Sequence, residues 1–205
     1  AIEGVAGEDV VWVPRAGEDA QEVAQRMASV IGTRIGWKDM ETDVVWPGRS
    51  LDRIDWSGAE LVLSAAHNSE SLSHDLGRLG SERHVLVVGM TQKEDLSESI
   101  EPLLRTEGRI RTIVTEVHGG RTPSVHAEHL SESLSADSGE PPLIIAEPIE
   151  AIDTASREAS KEGCIVFVTG SVYLVGQAVE EMVSRENGNL WEYLEAHRPR
   201  EQTEV

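Results

Sequence analysis

Cysteine is all but missing: Cys164 is the only one among 205 residues. A lone thiol excludes an internal disulfide and fits a reducing, cytoplasmic setting; inside an apolar run, it reads as packing rather than chemistry. Lysine is scarce as well, confined to Lys38, Lys93 and Lys161. No apolar run reaches the roughly 18 residues that a transmembrane helix needs, and no basic region followed by an apolar stretch opens the chain. Several chemical signatures are absent too. There is no G-x-x-x-x-G-K-[ST] phosphate loop, and no Gly-Lys pair at all. The lack of G-x-G-x-x-G argues against a dinucleotide dehydrogenase, and the lack of G-x-S-x-G leaves Ser171 without the setting of a hydrolase nucleophile.

Acid is what the chain has in excess. Thirty-seven Asp and Glu face 18 Lys and Arg, for a formal charge of −19. The acids are scattered along the chain, which describes a solvated surface rather than a tail. Such a field repels nucleic acid and anionic membranes, so neither is expected as a partner. Acid-rich, lysine-poor surfaces resemble those of halophilic proteins, whose self-repulsion is relieved by screening in strong salt.

One stretch organises the rest. Trp46-Pro47-Gly48-Arg49 breaks any preceding helix and sets Arg49 at the exit of a tight turn. A short acidic spacer follows, then Leu61-Val62-Leu63-Ser64-Ala65-Ala66-His67-Asn68. The apolar run reads as a buried strand, His67 and Asn68 fall at its end, and Ser69 or Ser71 is placed to cap the next helix. Polar residues between a strand and a helix are where open α/β sheets bind ligands, although a plain strand-loop-helix corner has the same spacing.

Before this stretch, residues 9–13 suggest a short strand and residues 18–31 an amphipathic helix, with Val23, Met27, Val30 and Ile31 at helical spacing. After it, strands and helices alternate. The pattern predicts strands at 60–65, 85–90, 110–117, 143–146 and 165–168, and helices at 69–79, 96–104, 124–134, 149–161 and 173–183. Pro102 should kink or shorten its helix. This alternation specifies a three-layer, Rossmann-like α/β fold: a mostly parallel sheet of about six strands with helices on both faces. Residues 1–45 are assigned to the end of a preceding domain, 46–184 to the sheet domain and 185–205 to a charged tail in which Leu190, Trp191, Tyr193 and Leu194 suit a short docking helix.

A second informative turn is Thr169-Gly170-Ser171-Val172-Tyr173-Leu174-Val175-Gly176, where a strand passes through Gly170 into a helix. Free N–H groups at such a helix start suit phosphate or carboxylate. The plainer reading makes Ser171 an N-cap. Lys93-Glu94-Asp95 and His118-Gly119-Gly120-Arg121 also follow strands, and each has a plain solvated-loop reading. His126 and His129 have a spacing that two metal ligands use, but no third ligand completes it, and no metal site is assigned.

Taken in order, these stretches resemble the folylpolyglutamate synthase and dihydrofolate synthase branch of the Mur ligases. In that family the C-terminal domain begins near a W-P-G-R turn, here Trp46–Arg49. A D-G-A-H-N-P strand end follows, here Ser64–Ser69; a strand ending in Gly then leads to a Lys-Asp pair, here Gly89 and Lys93-Glu94-Asp95. The last signature, T-G-S-L-Y-L-x-G, is here Thr169–Gly176 with Val172 in the Leu position. The resemblance implies an ATP-dependent ligase that phosphorylates a pteroate or folate carboxylate and transfers the acyl group to the amine of glutamate. It implies that Arg49, Ser64, His67 and Asn68 meet ATP, that His67 serves the chemistry, and that Ser171 holds glutamate. ATP and Mg2+ are the implied cofactors, with the Mg2+ ligands outside this chain, and N-terminal and central ligase domains are the implied partners.

Two departures bear on that expectation. Ser64 stands where the family has an Asp that contacts the nucleotide, and Ser69 replaces Pro. Without a phosphate loop the chain as given is not a whole ligase, and is expected to be part of a longer enzyme or a stand-alone relative. A non-catalytic binding module on the same fold is the alternative, and a generic α/β nucleotide-binding protein is a third.

Overall fold

The computed structural model describes residue 48, residues 51–135 and residues 141–186. All of them fall within Val45–Val205, the second of two compact units into which the chain divides. The expected strand at 9–13, the helix at 18–31, the docking helix around Trp191 and the side chain of Arg49 lie outside the described residues.

In chain order the elements are β1 (Asp52–Trp56), β2 (Ala59–Leu63), α1 (Ser69–Leu79), β3 (His84–Val88), α2 (Leu96–Leu104), β4 (Arg109–Val114), α3 (Ala127–Ser135), β5 (Leu143–Ile144), α4 (Pro148–Glu162), β6 (Ile165–Thr169) and α5 (Val172–Arg185). They build one six-stranded sheet in the order β1-β2-β6-β3-β4-β5. Only the β1–β2 pair is antiparallel. The mostly parallel α/β sheet expected from the alternation is therefore present.

Both faces of the sheet are covered, which is why its central strands are written without polar alternation. Leu61, Leu63, Val85, Val87, Val166 and Val168 face one way, onto Ala151, Ala155 and Ala159 of α4 and Leu174, Val175 and Ala178 of α5. Val62, Leu86, Val88 and Phe167 face the other way, onto Leu72 and Leu79 of α1, Ile100 and Leu103 of α2, and Leu130 and Leu134 of α3. The period of two along each strand thus sorts its side chains between two cores. Phe167, the chain's single phenylalanine, is fully buried, and its truncation to Ala would cost about 3–5 kcal/mol.

The acidic spacer is a strand. β1 pairs with β2 from Asp52↔Leu63 to Trp56↔Ala59. Its two turn residues, Ser57 (φ 54°) and Gly58 (φ 84°), are both left-handed, the pattern of a tight two-residue hairpin. Arg53 and Asp55 point to solvent while Ile54 and Trp56 are buried, so charge on one face of an edge strand hid its period of two. Trp56 then ties the hairpin to the helices: its indole N–H donates to Asp153 Oδ1 at 2.7 Å, and the Arg185 guanidinium stacks 4.5 Å from its ring.

Other boundaries moved for local reasons. α2 keeps its expected span, with Pro102 in its last turn; the Thr106 hydroxyl and Arg109 Nη1 donate to the carbonyl of Leu103. α3 starts later than expected, because Ser124 is drawn into an isolated antiparallel bridge with Thr91.

Candidate functional site

The sheet order itself points to a ligand position. β6 lies between β2 and β3. β2 and β3 lead into α1 and α2 on one face, whereas β6 leads into α5 on the other. The outgoing loops therefore part on both sides of β6, and the crevices outside the carboxyl ends of the strands are the switch points where open α/β sheets place ligands. The loops here are residues 64–68 after β2, residues 89–95 after β3 and Gly170-Ser171 after β6.

These loops are stitched together by backbone bonds. Ser64 N–H donates to the Val168 carbonyl at 2.9 Å, and Gly170 N–H to the Ala66 carbonyl at 3.0 Å. Gly89 N–H reaches the Thr169 carbonyl at 3.3 Å, and Ala65 N–H the Gly48 carbonyl at 2.7 Å. Glycine is required at two of these junctions. Gly170 has φ +101°, and a Cβ there would lie 2.6 Å from the Gly89 carbonyl oxygen. Gly48 has φ +76°, and its Cβ would meet Ala65 N and Val175 Cγ1 at 3.0 Å each. Gly48 is thus anchored at the β2 end and against α5. Arg49 lies outside the described residues.

The other expected site residues occupy different depths. His67 is half-buried; its Nδ1 lies 3.0 Å from the Ala65 carbonyl, a contact that places a hydrogen on Nδ1. Asn68 is the N-cap of α1: its Oδ1 accepts from Ser71 N–H at 2.9 Å, while Ser71 Oγ lies 3.3 Å from Asn68 N in a reciprocal capping box. The cap is therefore Asn68, not Ser69, with Ser71 returning the bond. Ser171 is buried, and its Oγ accepts from Tyr173 N–H at 3.2 Å, the N-cap geometry of α5. Ser64 is fully buried; its hydroxyl donates to Asp75 Oδ2 at 2.6 Å and accepts from Thr169 Oγ1 at 3.0 Å. His67, Asn68 and the start of α5, including exposed Val172, are what these loops offer to a ligand.

The remaining candidates do not join this cluster through any described side-chain bond. Asp95 caps α2 by accepting from Glu98 N–H at 2.9 Å. The 118–121 loop lies against Thr91 and Tyr173 at Gly120, and His118 N–H donates to Gln177 Oε1 at 3.3 Å. His126 and His129 are both exposed, with His126 Nδ1 3.4 Å from Glu116. Among the described residues, no group of three or more His, Cys, Asp or Glu is gathered to hold a metal ion. Asp75 escaped the sequence reading, although a signal was there. It sits with Leu72 and Leu79 on the buried stripe of α1, an acid where the periodicity calls for an apolar residue.

A Rossmann-like sheet with its loops gathered at a switch point, and with Gly48 and a helix start held beside them, defines a domain of the open, mostly parallel α/β class. Residues 49–181 match the sequence model of one family, described as the C-terminal domain of dihydrofolate synthetase. The chain belongs to that family. Among solved structures, Escherichia coli FolC in complex with ADP is similar over 82% of this chain at 20% identity, with a TM-score of 0.60. Mycobacterium tuberculosis folylpolyglutamate synthase complexed with ADP and AMPPCP is similar over 78% at 20% identity, with a TM-score of 0.62. The bifunctional folylpolyglutamate synthase/dihydrofolate synthase of Yersinia pestis, complexed with AMPPNP and Mn ion, is similar over 86% at 19% identity, with a TM-score of 0.58. The chain spans 40%, 40% and 42% of these three proteins, respectively. No curated protein is matched by sequence.

Proposed function

We propose that this chain is the C-terminal part of an ATP-dependent ligase that joins glutamate to a pteroate or folate carboxylate through an acyl phosphate. The observation that carries this reading is the convergence of the Gly48 turn, the His67-Asn68 loop and the α5 start around β6, in a domain of the dihydrofolate synthetase family. The similar proteins were solved with ADP, AMPPCP or AMPPNP, which supports a nucleotide as a ligand of the longer enzyme.

In this reading Arg49, next after Gly48 in the sequence, meets a phosphate, which suits its guanidinium with two parallel hydrogen bonds. His67 presents Nε2 to the nucleotide or the acyl phosphate, and Asn68 presents its amide while its carbonyl holds the helix. Ser64 acts from below the surface rather than by contact. Ser171 fixes the α5 start, whose N–H groups suit the glutamate carboxylate. Ligands for Mg2+ are assigned outside this chain, and no step is routed through the ion. A cytoplasmic site of action is part of the same proposal; among the described residues no helix is long and apolar enough to cross a membrane.

The test is Arg49→Lys in the polypeptide that joins this chain to its upstream ligase domains. Lys keeps the charge and loses the planar fork, so folding by circular dichroism should be intact and ATP-dependent glutamate ligation should fall at least ~10-fold, about 1.4 kcal/mol. Wild-type turnover in the folded variant would refute the assignment. Ser64, buried against Asp75 where the related ligases place an acid, favours a second reading as a non-catalytic module. That module would bind nucleotide without ligation in the same assay.

A further inference from the structure

From the hydrogen-bond order beneath the site we infer that Asp75 is a positioning residue: through Ser64 and Thr169 it holds the two loops that carry His67 and Ser171 in register. The inference rests on the proposed site only for what those loops do with a ligand.

Asp75 is a carboxylate buried in α1, between Leu72 and Leu79, close to the carboxyl end of β2. An apolar residue would pack that stripe without the desolvation penalty that a buried acid carries. What it gains is an acceptor at one particular hydrogen. Ser64 Oγ accepts from Thr169 Oγ1 at 3.0 Å and from Ala66 N–H at 3.2 Å. Both lone pairs are then in use, and the single hydroxyl hydrogen goes to Asp75 Oδ2 at 2.6 Å. Without an acceptor there, the hydrogen would turn toward Thr169, and Thr169 could no longer donate into Ser64. One side chain on α1 thereby decides the polarity of a bond between residues 105 apart in sequence.

That bond lies inside the backbone stitching already described. Ser64 N–H to Val168 O and Gly170 N–H to Ala66 O flank it. His67 follows Ala66 and Ser171 follows Gly170, so any slip between Ser64 and Thr169 is passed to both loops within one residue. The arrangement has room for one carboxylate. A second acid at position 64 would sit against Asp75, and one of the two would have to keep a proton. Exchanging the two residues would restore one hydroxyl and one carboxylate.

The test uses amide hydrogen exchange on this chain together with glutamate ligation in the longer ligase polypeptide. In Asp75→Ala, the amides of Ser64, Ala66 and Gly170 should lose protection together by at least ~10-fold, while those in the middle of α1 change far less. The exchange variant Ser64→Asp/Asp75→Ser should return them to within ~3-fold of wild type. Ser64→Asp alone should be destabilised at pH 7.5 and partly recover near pH 5, because the raised carboxyl pKa favours the fold only while the proton is held. Ligation should follow the same order, with kcat falling ~10-fold in Asp75→Ala and rescued in the double variant, and with KM for ATP moving less than ~3-fold. Loop amides unchanged in Asp75→Ala would overturn the inference. So would a double variant no better than Ser64→Asp, which also decides the matter if Asp75→Ala does not fold. A wild-type polypeptide without ligation, but with the stated exchange pattern, would remove the proposed function and leave the role of Asp75 in the loops standing.

Discussion

Gly170→Ala tests whether the strand-to-helix turn of the site depends on backbone shape alone. The residue has φ +101°, where an L-amino acid is strained by about 1–3 kcal/mol. The new methyl would also lie 2.6 Å from the Gly89 carbonyl oxygen, 3.0 Å from Val88 Cγ2 and 3.1 Å from Met90 Cγ. The nearest atom is backbone, and Gly89 N–H is bonded to the Thr169 carbonyl, so β3 and β6 would have to separate at their ends. Overpacking of this kind adds about 1–3 kcal/mol. The total, about 2–6 kcal/mol, is a large part of the 5–15 kcal/mol that usually holds a domain together. Urea unfolding followed by circular dichroism reads it: with m near 1–3 kcal/mol/M, the midpoint should drop by at least about 0.7 M. Gly77→Ala is the internal control. Gly77 is exposed in α1 with nothing within 4 Å of its Cβ position, so the same substitution should stabilise by about 0.5–1 kcal/mol. A Gly170→Ala protein within 0.5 kcal/mol of wild type would refute the steric argument.

The hairpin clamp predicts a smaller effect: Arg185→Ala should destabilise by about 1 kcal/mol, since its pair with Asp153 is partly exposed and its stacking on Trp56 is a surface contact. A double-mutant cycle with Asp153→Asn measures the pair, and zero coupling would mean the ion pair is incidental. His84 predicts pH dependence. It is fully buried and its Nδ1 donates to the Glu82 carbonyl at 2.7 Å, while its Nε2 has no hydrogen-bond partner among the described residues. Burial lowers its pKa and outweighs the upward pull of the hydrogen bond to the Glu82 carbonyl; the Arg109 charge lowers it a little further, against the Glu82 carboxylate. The unfolded chain therefore takes up a proton that the fold refuses, so stability is full above about pH 6.5 and falls as the pH drops below it. Unfolding at pH 7.5 and 5.5 should show a loss of up to about 1.4 kcal/mol per pH unit that His84→Leu lacks; equal losses in both proteins would refute it. The charge of −19 predicts a melting temperature that climbs between about 0.1 and 2 M KCl, where the screening length falls from roughly 10 Å to below 3 Å, and a flat curve would remove the halophilic resemblance.

How much of this was legible beforehand depended on the range of each interaction. β3 and β6 announced themselves because strands buried on both faces can carry little but apolar residues, and every residue of both is buried. α1 and α2 begin and end where the periodicity placed them, since their caps and stripes are written within a few residues. The ordered stretches from Trp46 to Gly176 led to the family that residues 49–181 match. β1 was missed because an edge strand shows its outer face to water, and Arg53 and Asp55 made it look like a spacer.

At the site, composition and local pattern determined which loops follow which strands, and so that His67, Asn68 and Ser171 come after buried β2 and β6. They could not determine that β6 is inserted between β2 and β3, because pairing Val62 with Phe167 joins segments far apart in sequence and leaves no local trace. Nor could they show that Ser64 turns inward to Asp75 and Thr169, or that Asn68 and Ser171 spend side-chain oxygens on helix caps. A hydroxyl's partner is chosen by whichever acceptor packing brings within 3 Å, and that choice belongs to the tertiary structure.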